Sequence, residues 1–191
     1  MVAFYALLAA VLFGSGDFLG GRATQRTSVL SVLATSHLIG LVLILVLAPL
    51  MAERFDRGDF VLGMEASGFG LLGLVLLYRG LARGPMAVVA PVTAVTCAAL
   101  PVLWGVAFGE ELSGRHVIGI ILGLVSIALV SRTPAEASVS ASPRLIAESL
   151  LAGVGFAAFY IVIDGTDAAS APWPIVGSRV LSVAVTLAVA I

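Results

Sequence analysis

Residues 29–52 read VLSVLATSHLIGLVLILVLAPLMA, an apolar run in which His37 is the one ionisable side chain. A helix rises 1.5 Å per residue, so about 20 apolar residues cross the hydrocarbon core of a bilayer. The charged segment ERFDRGD follows directly at positions 53–59. The stretch therefore predicts a membrane-spanning helix that ends at a polar surface.

The same alternation of apolar and polar sequence extends along the whole chain. Seven apolar stretches are present: Ala3–Gly21, Val29–Ala52, Phe60–Leu81, Met86–Phe108, His116–Ser131, Leu145–Ile163 and Pro174 to Ile191. Asp59 and Ser113 are predicted N-caps, and Gly84-Pro85 predicts a tight turn. We expect an all-α membrane protein, a polytopic helix bundle.

The composition excludes several classes of protein. Hydrophobic residues make up 60% of the 191 residues and charged residues 11%, whereas soluble domains carry about 25% charged residues. The net charge of −1 gives no basis for binding nucleic acid. The single cysteine, Cys97, excludes an internal disulfide. HExxH, GxSxG and Walker motifs are missing from the sequence, so we expect neither an enzyme nor a cofactor.

Two parts of the chain resemble each other at an offset of 142 to 143 residues. Because five helices separate the two copies, the second copy enters the membrane from the opposite side, which makes an inverted repeat. We expect a first repeat at 1–132, a linker at 133–143 and the start of a second repeat at 144–191, truncated before its last three helices. The matched positions are Phe13 with Phe156, Asp17 with Tyr160, Ser36 with Ser178, and His37 with Arg179.

Several motifs resemble the EamA-type drug/metabolite transporter superfamily. VLFGSGDF at 11–18 resembles the first-helix pattern of that superfamily, which usually has Trp-Gly where this chain has Phe-Gly. VAPVTA at 89–94 resembles the fourth-helix pattern, GE at 109–110 the following turn, and GIILG at 119–123 the glycine-rich fifth helix. The resemblance implies ten helices in two inverted five-helix repeats around a central pathway.

The resemblance also implies a function. We expect a transporter of small organic metabolites that exports its substrate by alternating access. We expect it in the cell membrane of a bacterium. The alternatives are a membrane-embedded enzyme acting on lipid and a non-transporting assembly or sensor subunit. The partners of the expected transporter are a small-molecule substrate and the lipid bilayer, while proton coupling and the oligomeric state stay open.

Three ionisable residues within apolar stretches are candidates for the substrate-binding site. An ionisable group inside a bilayer costs several kcal/mol unless it faces a cavity or a partner. Asp17 either lies in the substrate path or is an interfacial aspartate that pairs with Arg22 or snorkels to the surface. His37 either switches its charge there or is a neutral core histidine bonded to a hydroxyl such as that of Ser36 or Thr35. Arg179, which falls where the family commonly has a basic residue, either binds substrate or forms a structural salt bridge.

The chain departs from the family pattern at two of its helices. His37 replaces the arginine that is usual in the second helix, and Cys97 replaces a second proline in the fourth. These differences change the charge and the shape expected of the pocket. Asp17 and His37 are the central candidates for carrying a proton, and the repeat adds Tyr160 as a pocket residue.

Helix four contains further candidates. Pro91 and Pro101 interrupt backbone hydrogen bonding, so they are either hinges or static kinks. Thr93 and Thr96 either satisfy the carbonyl groups that the prolines free or bind substrate. Elsewhere, the spacing Gly16-xxx-Gly20 and Gly119-xxx-Gly123 predicts close helix packing. The aromatic residues Tyr78, Trp104 and Trp173 are interpreted as packing or interface residues.

The orientation in the membrane has conflicting indications. The resemblance implies a cytoplasmic N-terminus, which we adopt. With that orientation Arg54, Arg57 and Arg115 lie inside, against six arginines outside, contrary to the positive-inside rule. The six are Arg22, Arg26, Arg79, Arg83, Arg132 and Arg144.

Overall fold

The computed structural model describes residues 2–130 and 142–190. Within these ranges the chain forms seven α-helices, a short 3-10 turn at Ala168–Ser170 and no strand. The helices are α1 Val2–Thr24, α2 Val29–Met51, α3 Arg57–Arg83, α4 Met86–Ala107, α5 Gly114–Val130, α6 Pro143–Asp164 and α7 Trp173–Ala190. Each lies on one of the predicted stretches, and the predicted all-α bundle is confirmed. Almost all of the predicted linker lies outside the described residues.

Five of these helices, α1 to α4 and α6, are long and apolar enough to cross a membrane. The described parts of α5 and α7 are shorter, with 17 and 18 residues. At 1.5 Å per residue they span about 26 and 27 Å, slightly less than the roughly 30 Å of hydrocarbon in a typical bilayer.

The start of α3 differs from the prediction. Asp56, not Asp59, is the N-cap, because its carboxylate accepts a hydrogen bond of 3.1 Å from the backbone N–H of Asp59. The predicted cap at Asp59 is therefore wrong: an earlier aspartate already satisfies the first turn. Ser113 directly precedes α5, and its carbonyl accepts from the N–H of Val117.

The two ends of the bundle differ in charge. At one end, Leu145 at the start of α6 lies against Gly84 of the α3–α4 turn, and Gly21 near the end of α1 lies against Leu81 and Met86. We call this end the arginine-rich face. Its arginines are Arg22, Arg26, Arg83 and Arg144.

At the opposite end, the α2–α3 loop meets the α6–α7 loop. We call this end the acidic face. The backbone N–H groups of Glu53 and Arg54 donate to the carbonyl of Ala169 at 3.0 and 3.1 Å. Arg54 also donates to Asp167 at 2.6 Å. Since α1 ends at the arginine-rich face and α6 begins there, these two helices run in opposite directions, as do α2 and α7. The inverted repeat itself stays a prediction, as does the cytoplasmic N-terminus.

Helix α3 packs against α7 with almost no side chain between them. A Cβ atom added at Gly63 would overlap the backbone carbonyl of Pro174, and one added at Gly177 would overlap the carbonyl of Phe60. Further along, the buried hydroxyls of Ser67 and Ser182 form a hydrogen bond of 2.7 Å. The two backbones are therefore held at the closest approach that glycine permits.

Helix α6 packs against α3 and α4 in the same way. A Cβ atom at Gly155 would come within 2.8 Å of the Phe69 carbonyl on α3, and one at Gly153 within 2.8 Å of the Thr93 carbonyl on α4. The buried apolar core surrounds these contacts. Its members are Leu33, Leu77, Tyr78, Leu81, Val89, Leu145 and Ala152.

The glycine pairs expected to permit close packing do so at one position out of four. Added Cβ atoms at Gly16, Gly119 and Gly123 would have no described atom within 4 Å, whereas one at Gly20 would overlap the Tyr78 ring. The prediction is wrong for the α5 pair, because the described part of α5 is exposed along nearly its whole length.

The acidic face allows a comparison of two substitutions. The Arg54–Asp167 ion pair is about half exposed on both sides, so Arg54→Ala should cost at most about 1 kcal/mol. The Asp59 carboxylate accepts from the Ser170 hydroxyl at 2.6 Å and from the Asp167 N–H at 3.1 Å. Asp59→Ala should therefore cost about 2 kcal/mol. Thermal unfolding of both variants in detergent measures the order, and a larger loss for Arg54→Ala would contradict it.

Candidate functional site

Six polar side chains from six helices interact electrostatically, and we call them the central polar group; two of them, His37 and Tyr78, are buried, whereas Tyr160 is 46% exposed. Arg179 interacts with His37 and Tyr78, while Asp17 interacts with Tyr78 and Tyr160, which in turn interacts with Cys97. In chain order they belong to α1, α2, α3, α4, α6 and α7: Asp17, His37, Tyr78, Cys97, Tyr160 and Arg179. Among the described residues none of the six side chains has a hydrogen-bond or ion-pair partner.

His37 is the most deeply buried ionisable member. Its side chain is 3% exposed, and neither ring nitrogen has a hydrogen-bond partner in the described part of the chain. The two hydroxyls considered as partners are engaged within α2 itself: Thr35 donates to the Ser31 carbonyl and Ser36 to the Leu33 carbonyl. The interpretation of a core histidine bonded to either hydroxyl is therefore wrong.

Arg179 extends from α7 onto the surface of α2. Its Nε atom lies 3.6 Å from the position that a Cβ atom on Gly40 would occupy. Gly40 is three residues after His37, so both lie on one face of α2. No described carboxylate forms an ion pair with Arg179, so the alternative of a structural salt bridge is not observed within the described residues.

Asp17 is the member of the central polar group on α1. It is half-buried, and its carboxylate forms no ion pair with Arg22 or with any other arginine of the described residues. The electrostatic neighbours of Asp17 are the phenols of Tyr78 and Tyr160. The alternative in which Asp17 pairs with Arg22 is therefore not observed either.

Tyr78 and Cys97 are the members that the sequence did not single out as functional, and Tyr78 is the more buried of the two. It is 7% exposed, its hydroxyl lies against Gly20 of α1, and it is an electrostatic neighbour of both Asp17 and Arg179. From the sequence it was interpreted, with Trp104 and Trp173, as a packing or interface aromatic. The signal that could have found it is Gly20, three residues after Asp17, where α1 leaves room for a large side chain.

Two of the four residue pairs matched by the internal repeat also interact electrostatically. His37 interacts with Arg179, and Asp17 interacts with Tyr160. Residues related by a two-fold axis come close together when they lie near that axis. The arrangement is the one expected if the axis passes through the central polar group.

The threonines of α4 lie elsewhere, at the interface with α6. The Thr93 hydroxyl donates to the Ser149 carbonyl at 3.0 Å, and the Thr96 hydroxyl donates to the Val92 carbonyl at 2.8 Å. Neither donates to the carbonyl four residues before Pro91 or Pro101, so the expectation that they replace those lost bonds is wrong. Helix α4 continues through both prolines, and their role as hinges stays a prediction.

A surface groove between α3 and α7 is separate from the central polar group. It is apolar, and none of the six residues lines it; the lining residues are Ser67, Gly68, Leu71, Leu72, Val75, Leu181 and Val185. The groove carries no polar group beyond the Ser67 hydroxyl, which is bonded to Ser182.

The fold and the central polar group define a polytopic integral membrane protein with ionisable side chains on its apolar helices, an arrangement typical of proteins that move solutes. The family model of the EamA-like transporter family matches residues 1–132. The chain belongs to that family, and the expected resemblance is confirmed. No match was found among curated proteins or among solved structures. The family consists of transporters of small molecules, which fits the expectation that the chain is not an enzyme.

Proposed function

We propose that this protein exports a small organic metabolite by alternating access, with the central polar group at its substrate site. The observation that carries the proposal concerns His37 of α2, whose two ring nitrogens are buried without a hydrogen-bond partner among the described residues. His37 interacts electrostatically with Arg179 of α7, which has no ion-pair partner among those residues. Charged and polar groups in a membrane interior are costly unless they face a polar path or a ligand. A substrate that passes between the helices supplies that ligand.

The remaining members of the group receive roles from their chemistry. Asp17 and His37 are the titratable groups that could carry a proton coupled to transport, since each can change its charge. Tyr160 of α6 contributes a phenol that interacts with Asp17. Thr93 and Thr96 lie at the α4–α6 interface with their hydroxyls bonded to backbone carbonyls, so they would reach a substrate only if α4 bends, which Pro91 and Pro101 would allow.

The proposed architecture has residues 1–132 as one repeat and residues 144–191 as the start of a second, joined by the linker at 133–143. The electrostatic interactions His37–Arg179 and Asp17–Tyr160 support it, because each joins a position of the first repeat to its match in the second. The setting that we propose is the bacterial plasma membrane.

Transport assays on membrane vesicles test the function. Vesicles containing the natural protein are loaded with a labelled panel of amino acids, organic acids, amines and sugars, and efflux is followed with and without a proton gradient. We expect saturable efflux of at least one member. A non-transporting subunit would move none of them above empty vesicles, and a lipid-acting enzyme would instead change the lipid composition of the vesicles.

Gly40→Leu provides a prediction on the site itself. The added side chain would displace Arg179 from its place against α2, so we expect transport to fall roughly tenfold or more, equivalent to about 1.4 kcal/mol. Gly14→Leu on α1 is the matched control, because a Cβ atom there meets no described atom within 4 Å. Equal activity of the two variants, normalised to folded protein, would argue against this placement of Arg179.

A further inference from the structure

We propose that His37, Gly40 and Arg179 form a carboxylate-binding slot between α2 and α7. The proposal rests on the proposed function and names the chemical class of its substrate: a metabolite that carries a carboxylate. We refer to these three residues as the α2–α7 slot.

Arg179 supplies the charge of the slot. A guanidinium group stays protonated in proteins and has five N–H donors. No described side chain or carbonyl accepts from these donors, and the described residues contribute no ion-pair partner. A carboxylate matches the planar fork of the guanidinium with two parallel hydrogen bonds. The natural complement of this side chain is therefore a planar anion.

His37 supplies the second donor. A neutral imidazole has one N–H donor and one acceptor nitrogen, and both nitrogens are buried without a protein partner among the described residues. Its electrostatic neighbour is Arg179. An anion between them accepts from both residues, whereas an ammonium group would be repelled by Arg179.

Gly40 lets Arg179 lie against α2. Because it has no side chain, the Arg179 Nε atom lies 3.6 Å from the Cβ position on α2, one turn from His37. The slot therefore offers one fixed positive charge, which balances a carboxylate. A phosphate dianion would be left with an excess negative charge, so we favour the carboxylate.

Ligand binding to the purified full-length protein tests the slot independently of transport. Benzoate, benzamide, benzylammonium and inorganic phosphate are compared at equal ionic strength by thermal stabilisation, together with lactate, succinate and glutamate. We expect stabilisation by at least one carboxylate, and none by benzamide or benzylammonium. Arg179→Gln should weaken that binding at least about tenfold, and the exposed control Arg144→Gln should not.

A chemical measurement on the natural protein tests the slot without any substitution, so its result does not depend on how the variants fold. Phenylglyoxal modifies arginine, and the rate at Arg179 is followed by peptide mass spectrometry. The stabilising carboxylate should slow that rate and leave the rate at exposed Arg144 unchanged.

The outcomes separate the slot from the transporter. Stabilisation by phosphate or benzylammonium in place of every carboxylate, or no protection of Arg179, would overturn the slot. Efflux of a neutral metabolite that persists in Arg179→Gln would also overturn it, while leaving the transporter in place. Carboxylate binding with protection of Arg179 but without efflux would leave the slot and refute the proposed function.

Discussion

Gly63→Leu should prevent the protein from accumulating in a folded form. The new side chain would have to occupy the space of the Pro174 backbone carbonyl, which cannot rotate away as a side chain can. Overpacking a core costs up to about 3 kcal/mol when side chains can adjust, and we expect at least that here. The measurement is the fraction of expressed protein that stays monodisperse after extraction in mild detergent.

The same helix provides the control. A Cβ atom at Gly68 meets no described atom within 4 Å, so Gly68→Leu makes the same change in hydrophobicity and helix propensity without the overlap. We expect it to accumulate like the natural protein. If both variants accumulated equally, the close contact between α3 and α7 would be incorrect.

The second large effect is expected at Arg179. Arg179→Ala should abolish transport while the protein still inserts and folds, because its loss removes the fixed charge of the site. In the proposed complex Arg179 forms a charged pair with the substrate carboxylate. Removing one partner of such a pair costs about 2–5 kcal/mol, which corresponds to a decrease of roughly 30-fold or more in transport efficiency. Arg179→Lys should recover little, since an ammonium group lacks the planar fork.

Folding and activity are measured on the same preparation. Size-exclusion profiles and thermal unfolding report the fold, and efflux in vesicles reports the activity. Normal transport by Arg179→Ala, or a loss that only parallels a loss of folded protein, would favour a structural role for Arg179. A non-transporting subunit would likewise tolerate the substitution.

The boundaries of the helices could be predicted because lipid selects strongly for composition. The change from apolar to charged sequence is abrupt at Ala52 and at Gly84-Pro85, and the observed ends of α2 and α3 lie within two residues of the predicted ones. The N-cap of α3 was misplaced because Asp56 and Asp59 are chemically equivalent caps three residues apart. Hydropathy does not distinguish between them.

The choice of packing faces could not be predicted. A pattern of small residues shows that another helix can approach that face closely, but it does not show which helix does so. The strict glycine spacing on α5 matched the motif but faces outward. The contact that forms uses Gly63 and Ser67 on α3 with Gly177 and Ser182 on α7. A search for small residues of any kind, serine included, would have found Gly63 and Ser67 at an interval of four.

The site was predicted in part for a physical reason. Asp17, His37 and Arg179 stand out because charge is rare in an apolar helix, so composition alone identifies them. Tyr78 is amphipathic and does not stand out in the same way. Its place beside Asp17 depends on how α1 and α3 cross, which involves residues about 60 positions apart.

The glycine contacts of α3 also bear on how the bundle moves. Where two helices touch through side chains, small rotamer changes let one helix slide along the other. Where they touch through backbone, as at Gly63 and Gly177, no such adjustment exists, and packed interfaces of this kind change in discrete steps. Helices α3 and α7 should therefore travel as one rigid body, and any opening of the pathway would occur along the helices that surround this pair.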